Sequence, residues 1–213
     1  MSHARTIGLV AAVALVVGLL LSAADAGSED DRVTQLERRV TELEKELTEL
    51  RAQLEPVLEK AKLEKARDTW RAKARQRMQL DSEKHDAQTL QKVEKLYQSA
   101  NKNLRGDDTR QILNKLIEQY PDCNRTGCAV LYLAQMSTGK EQEALLKRAV
   151  KDYGDCFYGD GVQVGPYATY YLAWYYHKNK QPEQASRMAE IIRTQYPTAI
   201  THKGEWLVDY LPQ

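Results

Sequence analysis

The sequence predicts an all-α protein, with a coiled-coil helix near the amino terminus followed by an array of helical hairpins. Three observations carry that prediction. Apolar residues from Val33 to Val57 recur at alternating steps of three and four, the pattern of a narrow seam along one helix. From Leu90 onward, apolar residues follow the 3.6-residue helical period in segments separated by Gly and Pro. One word closes two of those segments, Gln119-Tyr120-Pro121 and Gln195-Tyr196-Pro197.

Composition restricts the function classes. In 213 residues, 31 Lys and Arg stand against 30 Asp and Glu, a net charge of +1. That balance argues against a nucleic-acid binder, so no nucleic-acid partner is expected. The chain has 12 Tyr and one Phe, and its first Tyr is Tyr97. Ahead of Tyr97 the only aromatic side chain is Trp70, so an ordinary core must be built further on.

The first element is read as an export signal spanning 1–26. Arg5 precedes an uncharged apolar run from Ile7 to Leu21, and Ala24-Asp25-Ala26 supplies the small-x-small cleavage pattern. The chain is therefore expected to be periplasmic or secreted, or, with the signal uncleaved, held at the membrane as a signal anchor.

The coil is placed at 29–55. Val33, Val40, Leu47 and Leu54 take heptad position a, and Leu36, Leu43, Leu50 and Val57 take position d. A seam two positions wide in seven cannot cover a globular core and calls for another helix of its own kind. In a parallel pairing, Arg32 meets Glu37, Arg39 meets Glu44 and Glu46 meets Arg51, all opposite in sign. The expectation is a parallel homodimer or homotrimer. Pro56 removes an amide and crowds the Ala52 carbonyl, so the coil should end or kink there.

Residues 56–84 read as a charged helix or linker. Between Lys60 and Arg77, eight basic residues stand against Glu64 and Asp68, a local excess of +6. Such a stretch is either a solvated spacer or a contact for an anionic envelope polymer or lipid surface.

The hairpin domain is placed at 86–213. Leu90, Val93, Leu96, Tyr97, Ala100 and Leu104 form one amphipathic helix. Gly106-Asp107-Asp108 is a turn ending in a capping acid, and Ile112, Leu113, Leu116, Ile117 and Tyr120 form the next helix. The middle pair runs from Val130 to Met136, then, after a break at Gly139, from Ala144 to Tyr153; the last runs from Tyr167 to His177, then from Pro182 to Tyr196. Asp152-Tyr153-Gly154 is a looser copy of the closing word, and paired helices on this cadence suggest a repeat array of about three pairs. Gly204 to Leu211, with Trp206, Leu207, Tyr210 and Leu211, reads as a short helix capping the last pair.

The last pair resembles a tetratricopeptide repeat. Leu172, Ala173, Tyr176, Ala185 and Pro197 stand where that family places its packing residues, small residues, aromatic and closing Pro. Thr169 stands where the family favours Trp, and Ala189 where it favours a large aromatic. The resemblance implies a right-handed superhelix with a concave groove lined by Tyr167, Tyr170, Trp174, His177 and Lys178, a binding wall for a peptide or protein partner. An exported coil followed by such repeats is also similar in architecture to the Tol–Pal-associated cell-division coordinators of the Gram-negative periplasm.

Catalytic signals are sparse. In an oxidising compartment Cys123, Cys128 and Cys156 predict one disulfide and one free thiol. Cys128–Cys156 is the preferred bridge, because Cys128 opens the first helix of the middle pair and Cys156 follows the second; Cys123 competes for the same partner. The cysteine and histidine spacing is a poor match to a metal site, so neither metal nor cofactor is expected. Gly154 to Gly165 holds four Gly and two Asp but lacks the calcium-loop and phosphate-loop patterns, and reads as a structural loop closed by Cys156. His85, His177 and His202 have no carboxylate or thiol at a motif spacing and are taken as surface or groove histidines. The expected function is a non-catalytic adaptor oligomerised by its coil. The alternatives are a thiol-dependent redox or other enzyme using loop 154–165, and an envelope spacer contacting an anionic polymer through 60–77.

Overall fold

A computed structural model describes residues 29–102, 106 and 108–212. The expected signal peptide lies outside the described residues, as do Leu104 and Asp107. The protein is all-α. Its helices are α1 (Glu29–Lys84), α2 (Ala87–Lys102), α3 (Thr109–Gln119), α4 (Asn124–Met136), α5 (Gly139–Tyr153), α6 (Val164–Lys178) and α7 (Pro182–Gln195), and a 3₁₀ turn follows at Leu207–Tyr210. Among the described residues there is no strand, only two isolated bridges, Phe157–Gln163 and Ile200–Trp206.

The chain divides into two compact units, residues 1–56 and 57–213. In the first, every described residue is exposed. The eight seam residues Val33, Leu36, Val40, Leu43, Leu47, Leu50, Leu54 and Val57 are 41–63% exposed. The helix carries local support on its outer faces. Arg38–Glu42 and Lys45–Glu49 are i, i+4 ion pairs, and Thr34, Thr41 and Thr48, seven residues apart, each donate a hydroxyl to the carbonyl four residues back. Of the end or kink expected at Pro56, the end is absent: α1 continues to Lys84. The orphaned Ala52 carbonyl sits on an exposed turn where water can replace the lost donor, and the flanking Glu, Leu and Lys are strong helix formers.

The second unit takes in the segment expected to be a charged helix or linker, and it is helical. Residues 57–84 of α1 bury Trp70, Ala74 and Asp81 in its core. Each of the other helices packs against its neighbours in sequence, α2 on α3, α3 on α4, α4 on α5, α5 on α6 and α6 on α7. Helix α2 is capped by Asp86, whose carboxylate accepts the Thr89 amide at 2.8 Å and its hydroxyl at 3.1 Å. Asp108 does not cap α3: its own backbone is helical and its side chain makes no cap bond. Helix α4 begins six residues ahead of Val130, at Asn124, and the break after Met136 is Ser137–Thr138, with Gly139 starting α5 at φ 58°.

The repeated closing word has a repeated geometry. Tyr120 (φ −136°, ψ 58°) and Tyr196 (φ −132°, ψ 45°) each follow the last helical residue and donate an amide back to Leu116 and Ile192 at 3.0 Å. The carbonyls of Tyr120, Tyr153 and Tyr196 then each accept the amide three residues on, from Cys123, Cys156 and Ala199. Expected packing positions Leu172, Ala173, Tyr176, Ala185 and Thr169 are all buried.

Candidate functional site

A polar network fixes the Gly-rich loop. The Asp81 carboxylate of α1 accepts the Arg77 guanidinium at 2.6 Å and the Asn124 amide at 2.8 Å, capping the start of α4. The buried Asn124 side chain then pairs with both backbone groups of Phe157, accepting its amide at 2.7 Å and donating to its carbonyl at 2.8 Å. Arg77 also reaches Asp155 at 3.0 Å. Gly161, at φ 99°, lies against the Trp70–Arg71 backbone, where a Cβ would come within 2.9 Å of the Arg71 nitrogen. An asparagine and an ion pair, in place of the expected cysteine bridge, hold the loop.

The expected Cys128–Cys156 bridge is not formed; all three cysteines are free and buried. The two helix ends do meet, but Cys156 packs over Gly127 and its sulfur turns toward Arg77, 3.9 Å away. Cys128 instead donates its thiol to the Phe157 carbonyl at 3.4 Å. Burial pushes all three thiols up, Cys123 to about 11 and Cys156 to about 12, so neutral thiols are the stable form. Cys123 also meets His85 and Asp122, with ligand atoms all within 4.8 Å of one another, the one such trio among the described residues. His85 Nε2 lies 3.1 Å from the Asp122 carboxylate there, and burial raises the adjoining Cys123 thiol.

Two histidines expected to lack partners have aspartates. Besides His85, His202 places Nδ1 2.7 Å from Asp160, across 42 residues of sequence. The His202 ring stands edge-on to Tyr158 at 4.7 Å and Tyr167 at 5.0 Å. Burial raises Asp160, but the His202 contact and the Val162 amide outweigh it and hold the carboxyl below its ordinary value.

The aromatic stripe on α6 meets the chain's own carboxy-terminal segment. Tyr167 and Tyr170 stack on each other at 5.8 Å and pack against a cluster containing Ile192, Ala199, Leu207 and Leu211. The Trp174 indole donates to the Tyr210 carbonyl at 3.0 Å, and the His177 ring lies edge-on to Trp174 at 5.6 Å. Lys178 ends the helix, exposed. The five predicted wall residues thus share one side of α6, but three of them are part-covered from within rather than facing an open groove. What stays open there is a cleft of about 210 Å³ bounded by Tyr167, Tyr170, His202, Glu205 and Tyr210. The tail caps the last pair as expected, yet only Leu207–Tyr210 is helical, and as a 3₁₀ turn.

A larger cleft, about 590 Å³, opens on the opposite flank of that tail. Trp70, Ala66 and Thr69 of α1 form one wall, Pro197, Thr198, Trp206 and Val208 the other, with Glu59, Lys62, Lys65 and Lys73 around it. The Trp70 indole donates to the Thr198 carbonyl at 2.5 Å, and Arg67 donates to the Gly204 carbonyl at 2.6 Å. These bonds hold the tail against α1. Sequence reasoning missed this site because Trp70 stands alone in a charged helix; its signal was the small residues Ala66 and Ala74, one turn to either side.

No protein-family model matches the chain, and no curated protein and no solved structure matches it.

Proposed function

We propose that the protein is an exported, non-catalytic adaptor that self-associates in parallel through residues 29–55 and presents a tetratricopeptide-like domain to a peptide or protein partner. The observation that carries this reading is the seam. Eight regularly spaced apolar residues lie uncovered on one helix, and the charges beside them match those of another copy in parallel register. Self-association multiplies weak contacts made by each attached domain, which gives an adaptor its use for a coil. Export rests on the leader pattern from Arg5 to Ala26, and the repeat assignment on the residues of the last pair together with the succession of helices each packed on the next. The thiol-enzyme reading draws no support from three buried thiols whose ionisation is suppressed. Sedimentation of the full chain tests the proposal: a concentration-dependent dimer or trimer is expected, and a monomer at all concentrations rejects it.

A further inference from the structure

The cleft between Trp70 and Trp206 has an apolar floor and a cationic rim. Three lysines stand against one glutamate, and that glutamate is taken by Lys62 at 2.6 Å. Lys73 lies over the Trp70 ring, 4.1 Å from its centre, and Lys65 pairs with no carboxylate among the described residues. The two Trp rings, Ala66, Val208 and Pro197 offer the kind of surface on which bulky side chains anchor.

We infer that this cleft binds an acidic peptide segment carrying a large apolar or aromatic anchor, and that it is the partner site of the adaptor proposed above, on which the inference rests. Three features select a peptide. The Trp70 indole and Thr69 hydroxyl that line the cleft are already engaged, by the Thr198 and Lys65 carbonyls, so a sugar would find few neutral partners for its hydroxyls. Trp70 is buried and Trp206 part-buried, whereas insertion into a bilayer needs apolar groups that protrude beyond the charges. The lysines from 62 to 73 span about 16 Å of helix, more than a single small carboxylate and close to five extended residues. The volume, about 590 Å³, falls within the roughly 300–1,000 Å³ of pockets that bury most of a ligand.

The test is selection of a random dodecapeptide library displayed on phage against the immobilised full chain, with the Lys65→Glu/Lys73→Glu variant as a parallel target. Both lysines are exposed, so the variant keeps its fold. Enriched peptides should combine Asp or Glu with Leu, Phe or Trp, and the leading synthetic peptide should lose about tenfold or more in affinity on the double variant. Thr69→Phe, an exposed position that fills the cleft, should block the same peptide. Enrichment indifferent to both variants, or none at all, overturns the inference. Competition of the peptide by phosphatidylglycerol vesicles or by polyglutamate, with the same lysine dependence, overturns it in favour of a lipid or a simple polyanion. A failed selection on a chain that sediments as an oligomer rejects the cleft and leaves the scaffold reading standing.

Discussion

Residues 29–56 and 57–84 belong to one helix and obey opposite rules. The first stretch places a strict apolar seam on a surface that nothing in its own unit covers. The second has no apolar seam, yet Trp70, Ala74 and Asp81 are buried. Its buried stripe runs through Leu63, Ala66, Trp70, Ala74, Arg77 and Asp81, at steps of three and four like the seam, but built of small, aromatic and paired polar groups. Regular hydrophobicity marks a helix whose partner must repeat along its length. Irregular composition on the same period marks one fitted to a single, non-repeating surface.

The largest effect should come from breaking the seam. Leu43→Asp with Leu47→Asp places two charges where apolar contacts are needed, and a lone helix of this kind is marginal in water. Light scattering should fall to the monomer mass, with loss of helical circular dichroism from residues 29–56. The melting of the 57–213 unit should be unchanged; if it falls in step, the two stretches are not independent.

Asp81→Ala acts on the other stretch. It leaves the Arg77 guanidinium, 14% exposed, with Asp155 as its remaining carboxylate and takes the cap from α4, so the cost should be about 2–4 kcal/mol. Thermal melting should show a large drop while the oligomer mass stays the same. A smaller loss, about 1–3 kcal/mol, is expected from Gly161→Ala. There a left-handed backbone and the Arg71 nitrogen, rigid main chain, leave no room for a methyl group. Chemical denaturation measures it, and an unchanged midpoint would mean that loop 154–165 is not seated on α1 as described.

The helix pairs were legible because hydrophobic period, Pro and the Gln-Tyr-Pro words are local signals. What was not legible is long-range and polar. Nothing at Asn124 announces that its amide will bind Phe157, 33 residues on, or that Asn124 begins a helix whose first turn contains Thr126 and Gly127. The cysteine expectation failed by one residue of register: the right helix ends approach, but Gly127, not Cys128, lies beneath Cys156. The aromatic stripe and the capping tail were both legible, whereas the contact between them was not, because the tail reaches α6 through backbone groups such as the Tyr210 carbonyl that no side-chain pattern records.

The smallest effect should appear in acid, where the two stretches ought to differ in kind. On the coil, Arg38–Glu42 and Lys45–Glu49 are exposed pairs, each worth a few tenths of a kcal/mol at most. In the second unit, Asp160 has its folded-state carboxyl held below the ordinary aspartate value, chiefly by His202 against the opposing effect of burial. The unfolded chain therefore binds a proton first as pH falls, and the stability this pair contributes is fully present above the ordinary aspartate range. It is lost as pH drops from about 4 through the lower, folded value. The Asp160 side chain is 40% exposed, so screening limits the contribution to about half a kcal/mol. His202→Phe keeps an aromatic ring against Tyr158 and Tyr167 but removes the contact to Asp160. Urea midpoints of the variant should fall slightly below those of the parent at pH 6 and converge with them toward pH 3. Parallel curves across that range would show that the carboxylate owes its depressed ionisation to the Val162 amide, and that the histidine only packs.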